Sequence, residues 1–135
     1  GYTTVPDAIH AYFHKRKIFG RLPSSWRYYE RMEHSWTNTE LPVIIVPFMK
    51  RIEGEKDTIQ GIHRIFCQLD GSPIDDKKHR KVSLGDTAIS VYTDIYTPQN
   101  TDIKVMFITE GIENGLVAKD VLLFHLQRLP KTEKL

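Results

Sequence analysis

Apolar side chains recur along this chain first at a helical spacing and then at the spacing of strands. Ile9, Tyr12 and Phe13 fall at i, i+3 and i+4, one face of a helix, and Thr4, Pro6 and Asp7 supply a start signal. The spacing predicts a helix over residues 6–18. Its basic last turn, His14, Lys15, Arg16 and Lys17, suits the negative end of the helix dipole, and Gly20 with Pro23 ends it. Between Leu22 and Thr39 the aromatic residues Trp26, Tyr28, Tyr29 and Trp36 alternate with polar ones, which fits a short strand and an irregular connection. Val43, Ile44, Ile45 and Val46 form a β-branched run bounded by Pro42 and Pro47. Uninterrupted apolarity means burial on both faces, so a central strand is expected there. A turn over Glu53, Gly54, Glu55, Lys56 and Asp57 then leads into a partner strand over 58–69, closed by Asp70 and Gly71.

Residues 72–81 are polar, end in Lys77, Lys78, His79, Arg80 and Lys81, and read as an exposed loop. A short strand is expected over 88–92, a turn over 96–100 and a strand over 103–108. Glu110 and Gly111 break that strand sharply into a helix over 112–127, with Val117, Val121 and Phe124 as its apolar stripe and Pro130 just beyond it. The pattern therefore predicts an α+β chain: an N-terminal helix, a mainly antiparallel sheet built on the Val43 and Thr58 hairpin, and a C-terminal strand-helix unit. No internal repeat is present.

Composition narrows the function classes. With 135 residues, 40% hydrophobic, 10% aromatic and 27% charged, the chain has the make-up of one globular domain rather than of a disordered segment. No stretch reaches the roughly 18 apolar residues of a membrane span. The first 14 residues lack a basic lead and an apolar block, and the single Cys67 cannot form an intramolecular disulfide, so a cytoplasmic setting is expected. The net charge of +2, from 19 Lys and Arg against 17 Asp and Glu, does not by itself point to a polyanionic partner.

Candidate chemistry is sparse. Among six histidines only His10 and His14 share a helix face at i, i+4, and solvated surface residues explain that pair more simply than metal ligands. There is no Gly-x-x-x-x-Gly-Lys-Ser/Thr loop, no Gly-x-Gly-x-x-Gly and no Gly-x-Ser-x-Gly, which removes support for nucleotide hydrolysis of that type and for acyl transfer. The informative stretch is Val105 to Glu113, where an apolar run ends in a carboxylate, Glu110, followed by Gly111 and a helix. A carboxylate at the carboxyl end of a strand suits general acid/base work or a divalent cation, and Gly111 admits a close approach of phosphate. Equally, Glu110 suits the positive end of the following helix. Lys77, Lys78, Arg80 and Lys81 are candidates for nucleic-acid phosphates, as is the turn from His14 to Lys17, and Trp26, Tyr28, Tyr29 and Trp36 are candidates for base stacking. His63 and Arg64, successive in a strand, must face opposite sides of the sheet. Asp75 and Asp76 qualify as metal ligands only if folding sets them beside Glu110.

The segment Ile108-Thr109-Glu110-Gly111-Ile112-Glu113 resembles the first motif of Toprim domains, the fold shared by bacterial-type primases, topoisomerases and related nucleases. Upstream, Gly61-Ile62-His63-Arg64, Leu69-Asp70-Gly71 and Lys81 with Ser83-Leu84-Gly85 resemble, in that order, the region preceding Toprim in phage- and plasmid-type primases and primase-helicases. The resemblance implies a pre-Toprim α+β region over 1–102 and the first strand-helix unit of a Toprim domain over 103–135. It implies that Glu110 is the Toprim catalytic glutamate, acting as general acid or base in nucleotidyl transfer. The family's second motif, an Asp-x-Asp pair that binds Mg2+, has no counterpart after Asp120, and Asn114 stands where many primases carry an acidic residue. The resemblance thus implies a fragment, inert alone, of a mobile-element primase or primase-helicase that makes RNA primers from nucleoside triphosphates on single-stranded DNA. The alternative class is a self-contained module that binds nucleic acid or a replication partner without catalysis; a Toprim nuclease would share Glu110 with a different outcome.

Overall fold

Among the described residues, every element but the last lies in the first 85. The computed structural model of the chain describes residues 4–85, 91–96, 106 and 108–128. Helix α1 spans Asp7–Lys15 and is followed by strands β1 (Arg27–His34), β2 (Thr39–Lys50) and β3 (Thr58–Phe66), a 3-10 turn at Lys77–His79, β4 (Lys81–Gly85) and helix α2 (Ile112–Arg128). The strands form one antiparallel sheet in the order β1-β2-β3-β4, a meander with α1 against β2. This is the α+β, mainly antiparallel architecture that the hydrophobic pattern predicts. The chain falls into two compact units, one of Gly1–Arg16 with Ser24–Thr93, the other of Lys17–Pro23 with Asp94–Leu135. Among the described residues no helix is long and apolar enough to cross a membrane.

β2 is the centre of the first unit, and it is longer than its apolar run. Pro42 and Pro47, expected to bound the strand, both lie inside it. Proline is tolerated where the ladder asks for no donor. Tyr29 pairs with Val43 and Met32 with Leu41, so Glu30 and Arg31 together stand opposite Pro42 in a β-bulge. Pro47 lies past Arg27, the first residue of β1, which pairs with Ile45. Pro47 thus has no partner to lose on β1; Pro42, whose carbonyl accepts from the Cys67 N–H at 3.1 Å, faces the other way, and the donor it lacks would meet Cys67, one residue past the end of β3.

Strand alternation divides the sheet into two faces. Tyr28, Ile44, Val46 and Ile65 share one and are all buried. Tyr29, Val43, Ile45, Arg64, Phe66 and Val82 share the other, where Val43, Phe66 and Ile74 form a small buried cluster with Tyr29, Met32, Leu41, Ile45 and Val82 around it. Pro42, on the Ile44 side of β2, lines a cleft with Pro6, Asp7 and Ala8, so the buried helix residues Ala8, Ile9, Tyr12 and Phe13 cover that face. Trp26 joins them, its ring 6.4 Å from that of Phe13. Gly71, at φ +82°, lets the chain pass beneath α1: a Cβ there would sit 2.6 Å from the Ala11 carbonyl carbon.

The turn after β2 carries Gly54 at φ +81°, as the Glu53 to Asp57 stretch predicts. At this end Tyr92 makes a bridge to Met49, and its hydroxyl and the Arg51 guanidinium both bind the Asp57 carboxylate. The Arg51 hydrogen bond, with that of Tyr92, holds the Asp57 carboxyl below the usual carboxylate range. Tyr92 falls in the strand expected over 88–92, most of which lies outside the described residues, as does most of the turn expected over 96–100. β4 stands where the pattern predicts no strand: Lys-Val-Ser-Leu-Gly offers only Val82 and Leu84 on one face, and charge masks the alternation.

In the second unit α2 begins at Ile112, as expected, but buries another face. Gly115, Leu116 and Lys119 are buried, whereas Val117, Val121 and Phe124 are exposed. At Gly115 the buried face meets Ile95 and Thr109, and at Lys119 and Asp120 it meets polar backbone. The Gly20 N–H donates to Asp120 Oδ2 at 3.1 Å, and Lys119 Nζ donates to the Arg21 carbonyl. The strand expected over 103–108 lies mostly outside the described residues; Met106 and Ile108, which are described, belong to no strand and are exposed.

Candidate nucleic-acid interface

The second face of the sheet changes character at the end where β1 turns into β2. His34 is the last residue of β1, and the turn that follows is closed by bonds from the Thr37 N–H to the His34 carbonyl (3.2 Å) and from the Asn38 N–H to the Ser35 carbonyl (3.3 Å). Asn38 takes φ +52°, a conformation asparagine tolerates. Trp36 rides on this turn with 45% of its surface exposed.

His34 is fully buried, and its partners fix its tautomer. Nε2 lies 2.8 Å from the His79 carbonyl oxygen, which can only accept, so Nε2 carries the proton. Nδ1 therefore accepts from Thr37 Oγ1 at 2.6 Å, and Thr39 Oγ1 donates to Thr37 Oγ1 at 2.7 Å. His79 itself stands on the 3-10 turn that Asp76 caps: the Asp76 carboxylate accepts from the His79 backbone N–H (3.3 Å) and from its Nδ1 (2.8 Å). The side-chain bond from His79 is the main cause that holds the Asp76 carboxyl below its ordinary range.

These two histidines meet on Trp36. The His79 ring stacks on the indole at 4.7 Å between centroids and 14° between planes. The His34 ring lies 5.3 Å from the indole at 58°, and edge-on to Phe66 at 4.7 Å. The Arg64 guanidinium carbon is 5.9 Å from the Trp36 ring and 5.8 Å from Phe66, with its buried Nε unpaired. Arg80 donates from Nε to the Ile74 carbonyl at 2.6 Å, and its own carbonyl accepts from the Phe66 N–H at 2.8 Å. The basic loop is thereby anchored to the Val43, Phe66 and Ile74 cluster.

The residues singled out in the sequence fare differently. Lys77 and Lys78 are exposed on the 3-10 turn; Lys81 is exposed at the start of β4, where its pairing with Ile65 sets it on the Ile44 face rather than on that of Arg64. Arg80 is half-buried and committed to Ile74, so much of its role is structural. Of the four aromatic residues considered for stacking, Trp26 and Tyr28 are 1% and 2% exposed and belong to the core, which removes both. Burial pushes the Tyr28 phenol up to about 12. Tyr29 is half-buried beside Val43, leaving Trp36 as the exposed ring. His63 and Arg64 face opposite ways as expected, His63 Nδ1 lying 2.9 Å from Ser83 Oγ. Asp76 is engaged by His79 and Asp75 is exposed. Glu110 is exposed one residue before Gly111, at the entry to α2.

The His10 and His14 rings are 6.0 Å apart, and among the described residues no group of three or more His, Cys, Asp or Glu is placed to hold a metal ion. Residues of this chain that would hold Mg2+ are therefore not assembled among the described ones. Sequence reading missed the cluster of His34, Arg64, Trp36 and His79. Its one local signal is His34-Ser-Trp36-Thr-Asn leading into a strand, because the partners come from β3 and the basic loop. No protein-family model, curated protein or solved structure matches the chain.

Proposed function

We propose that the chain binds nucleic acid through the Lys77 to Lys81 turn and the sheet end beside it. The observation that carries this reading is the anchoring of the turn. Asp76 caps it, His34 holds the His79 carbonyl, and Arg80 is tied to Ile74, so Lys77 and Lys78 project from a fixed backbone. Cations presented on a rigid base lose little entropy when they meet phosphates, and phosphate contacts dominate nucleic-acid affinity. Neutralising Lys77, Lys78 and Lys81 together tests the reading. Every lysine–phosphate pairing that the substitutions abolish should reduce the slope of log K against log salt by roughly 0.7 on a single strand or 0.9 on a duplex. An unchanged slope would refute it.

The exposure of Glu110 at the entry to α2 favours a second layer of the same proposal, in which the parent is a Toprim primase or primase-helicase. There Glu110 serves as general acid or base, Mg2+ is held with an Asp-x-Asp motif elsewhere, and nucleoside triphosphates and single-stranded DNA are the substrates. In a chain carrying that motif, Glu110→Gln should abolish primer synthesis and leave the melting temperature nearly unchanged. Retained synthesis would remove the catalytic assignment.

A further inference from the structure

We infer that Trp36 is a stacking platform for an unpaired base, which makes single-stranded nucleic acid, rather than duplex, the ligand of this face. The inference rests on the proposed phosphate contacts of Lys77 and Lys78 and adds what they cannot supply, a means to tell one strand from two.

An indole with 45% of its surface in water is costly to leave uncovered, yet Trp36 is held in place rather than free to fold down. Its neighbour His79 lies nearly parallel to it at 4.7 Å, and that ring is itself fixed by Asp76 at 2.8 Å. The second neighbour, His34, is fixed at both nitrogens, by Thr37 and by the His79 carbonyl. Both imidazoles that flank the indole are thus locked by partners of their own, so the ring is oriented before any ligand arrives. Cations lie close: Arg64 is 5.9 Å from the ring, and Lys77 and Lys78 share the short turn with His79, while the Asp76 carboxylate that caps the turn is engaged by His79. An indole stacked on His79, with the rest of its surface exposed and Arg64, Lys77 and Lys78 nearby, suits an anionic chain whose flat groups are exposed. Bases of a duplex are hidden in their own stack, whereas a single strand offers each base in turn.

The test is a titration of the whole chain with oligo-dT, oligo-rU and a blunt hairpin duplex of equal phosphate number, followed by tryptophan fluorescence. The chain has two tryptophans, and Trp26 is 1% exposed, so quenching reports Trp36. Saturable quenching by either single strand, DNA or RNA, and none by the duplex, is the expected result. Trp36→Leu should weaken single-strand binding about tenfold without altering duplex binding, and Trp36→Phe should restore most of the loss. If single strands and duplex bind alike and Trp36→Leu changes nothing, the stacking platform is wrong while the phosphate contacts stand. If no nucleic acid binds, and neutralising Lys77, Lys78 and Lys81 has nothing to reduce, both readings fall.

Discussion

The two faces of the sheet solve different problems with the same four strands. On the α1 side, Tyr28, Ile44, Val46 and Ile65 of the sheet and Ile9, Tyr12, Phe13 and Trp26 beside it are all buried, and the face is closed. On the opposite face the apolar cluster of Val43, Phe66 and Ile74 is small, and beside it lie His34 and His79, each held by its own hydrogen bonds, with Trp36 and Arg64 against them. Area burial holds the first face and tolerates imprecision; hydrogen bonds hold the second and orient a ring that stays in water. The difference is the reason the proposed interface is set on the open face, where an exposed ring is oriented rather than buried.

The contrast can be broken most forcefully from the closed side. Ile44→Ala should cost about 3 kcal/mol in urea unfolding, the range for a fully buried aliphatic side chain, while the folded fraction binds nucleic acid as before. On the open side His34→Ala should cost about 2 kcal/mol, because it orphans the His79 carbonyl and the Thr37 hydroxyl. Unlike Ile44→Ala, it should also weaken binding, because the basic turn loses its tie to β1. Arg64→Met should change stability by no more than about 1 kcal/mol, since the buried Nε has no partner to lose, yet reduce single-strand affinity.

How much of the fold is legible in the sequence follows from where each signal is stored. The β2 run Val43 to Val46 and the Gly54 turn are local, and both are readable. Pro42 and Pro47 mislead because their tolerance depends on where the neighbouring strands stop, β3 at Phe66 beside Pro42 and β1 at Arg27 short of Pro47, and pairing rather than the prolines' own neighbours sets those ends. The stripe Val117, Val121 and Phe124 misleads because α2 is tied to the 17–23 segment by polar groups, Lys119 and Asp120, that a hydrophobic pattern discounts. The charge of Lys77, Lys78 and Lys81 is plain, but its anchoring is not. Trp36 is one aromatic among four until the fold sets His79 against it and sinks Trp26 and Tyr28 into the core.

The smallest expected effect is a pH dependence. The Asp76 carboxyl is depressed by His79, so its contribution is present above the ordinary carboxylate range and is lost as pH falls through the lower folded value. Stability measured against pH should therefore fall more steeply on acidification in the wild type than in Asp76→Asn, with the two curves converging at the acid end. Parallel curves would show that the Asp76 bond to His79 does not hold the turn in solution. Asp57, depressed by Arg51, titrates in both chains and cancels in the comparison.

The most direct measurement is a map of backbone and indole chemical-shift changes on adding a short single-stranded oligonucleotide. The expected pattern is confined to Trp36, Arg64, Lys77, Lys78 and His79, with Ile9, Phe13, Ile44 and Ile65 unmoved. Changes centred on α1 and the closed face, or none at all, would contradict the division of labour between the two faces.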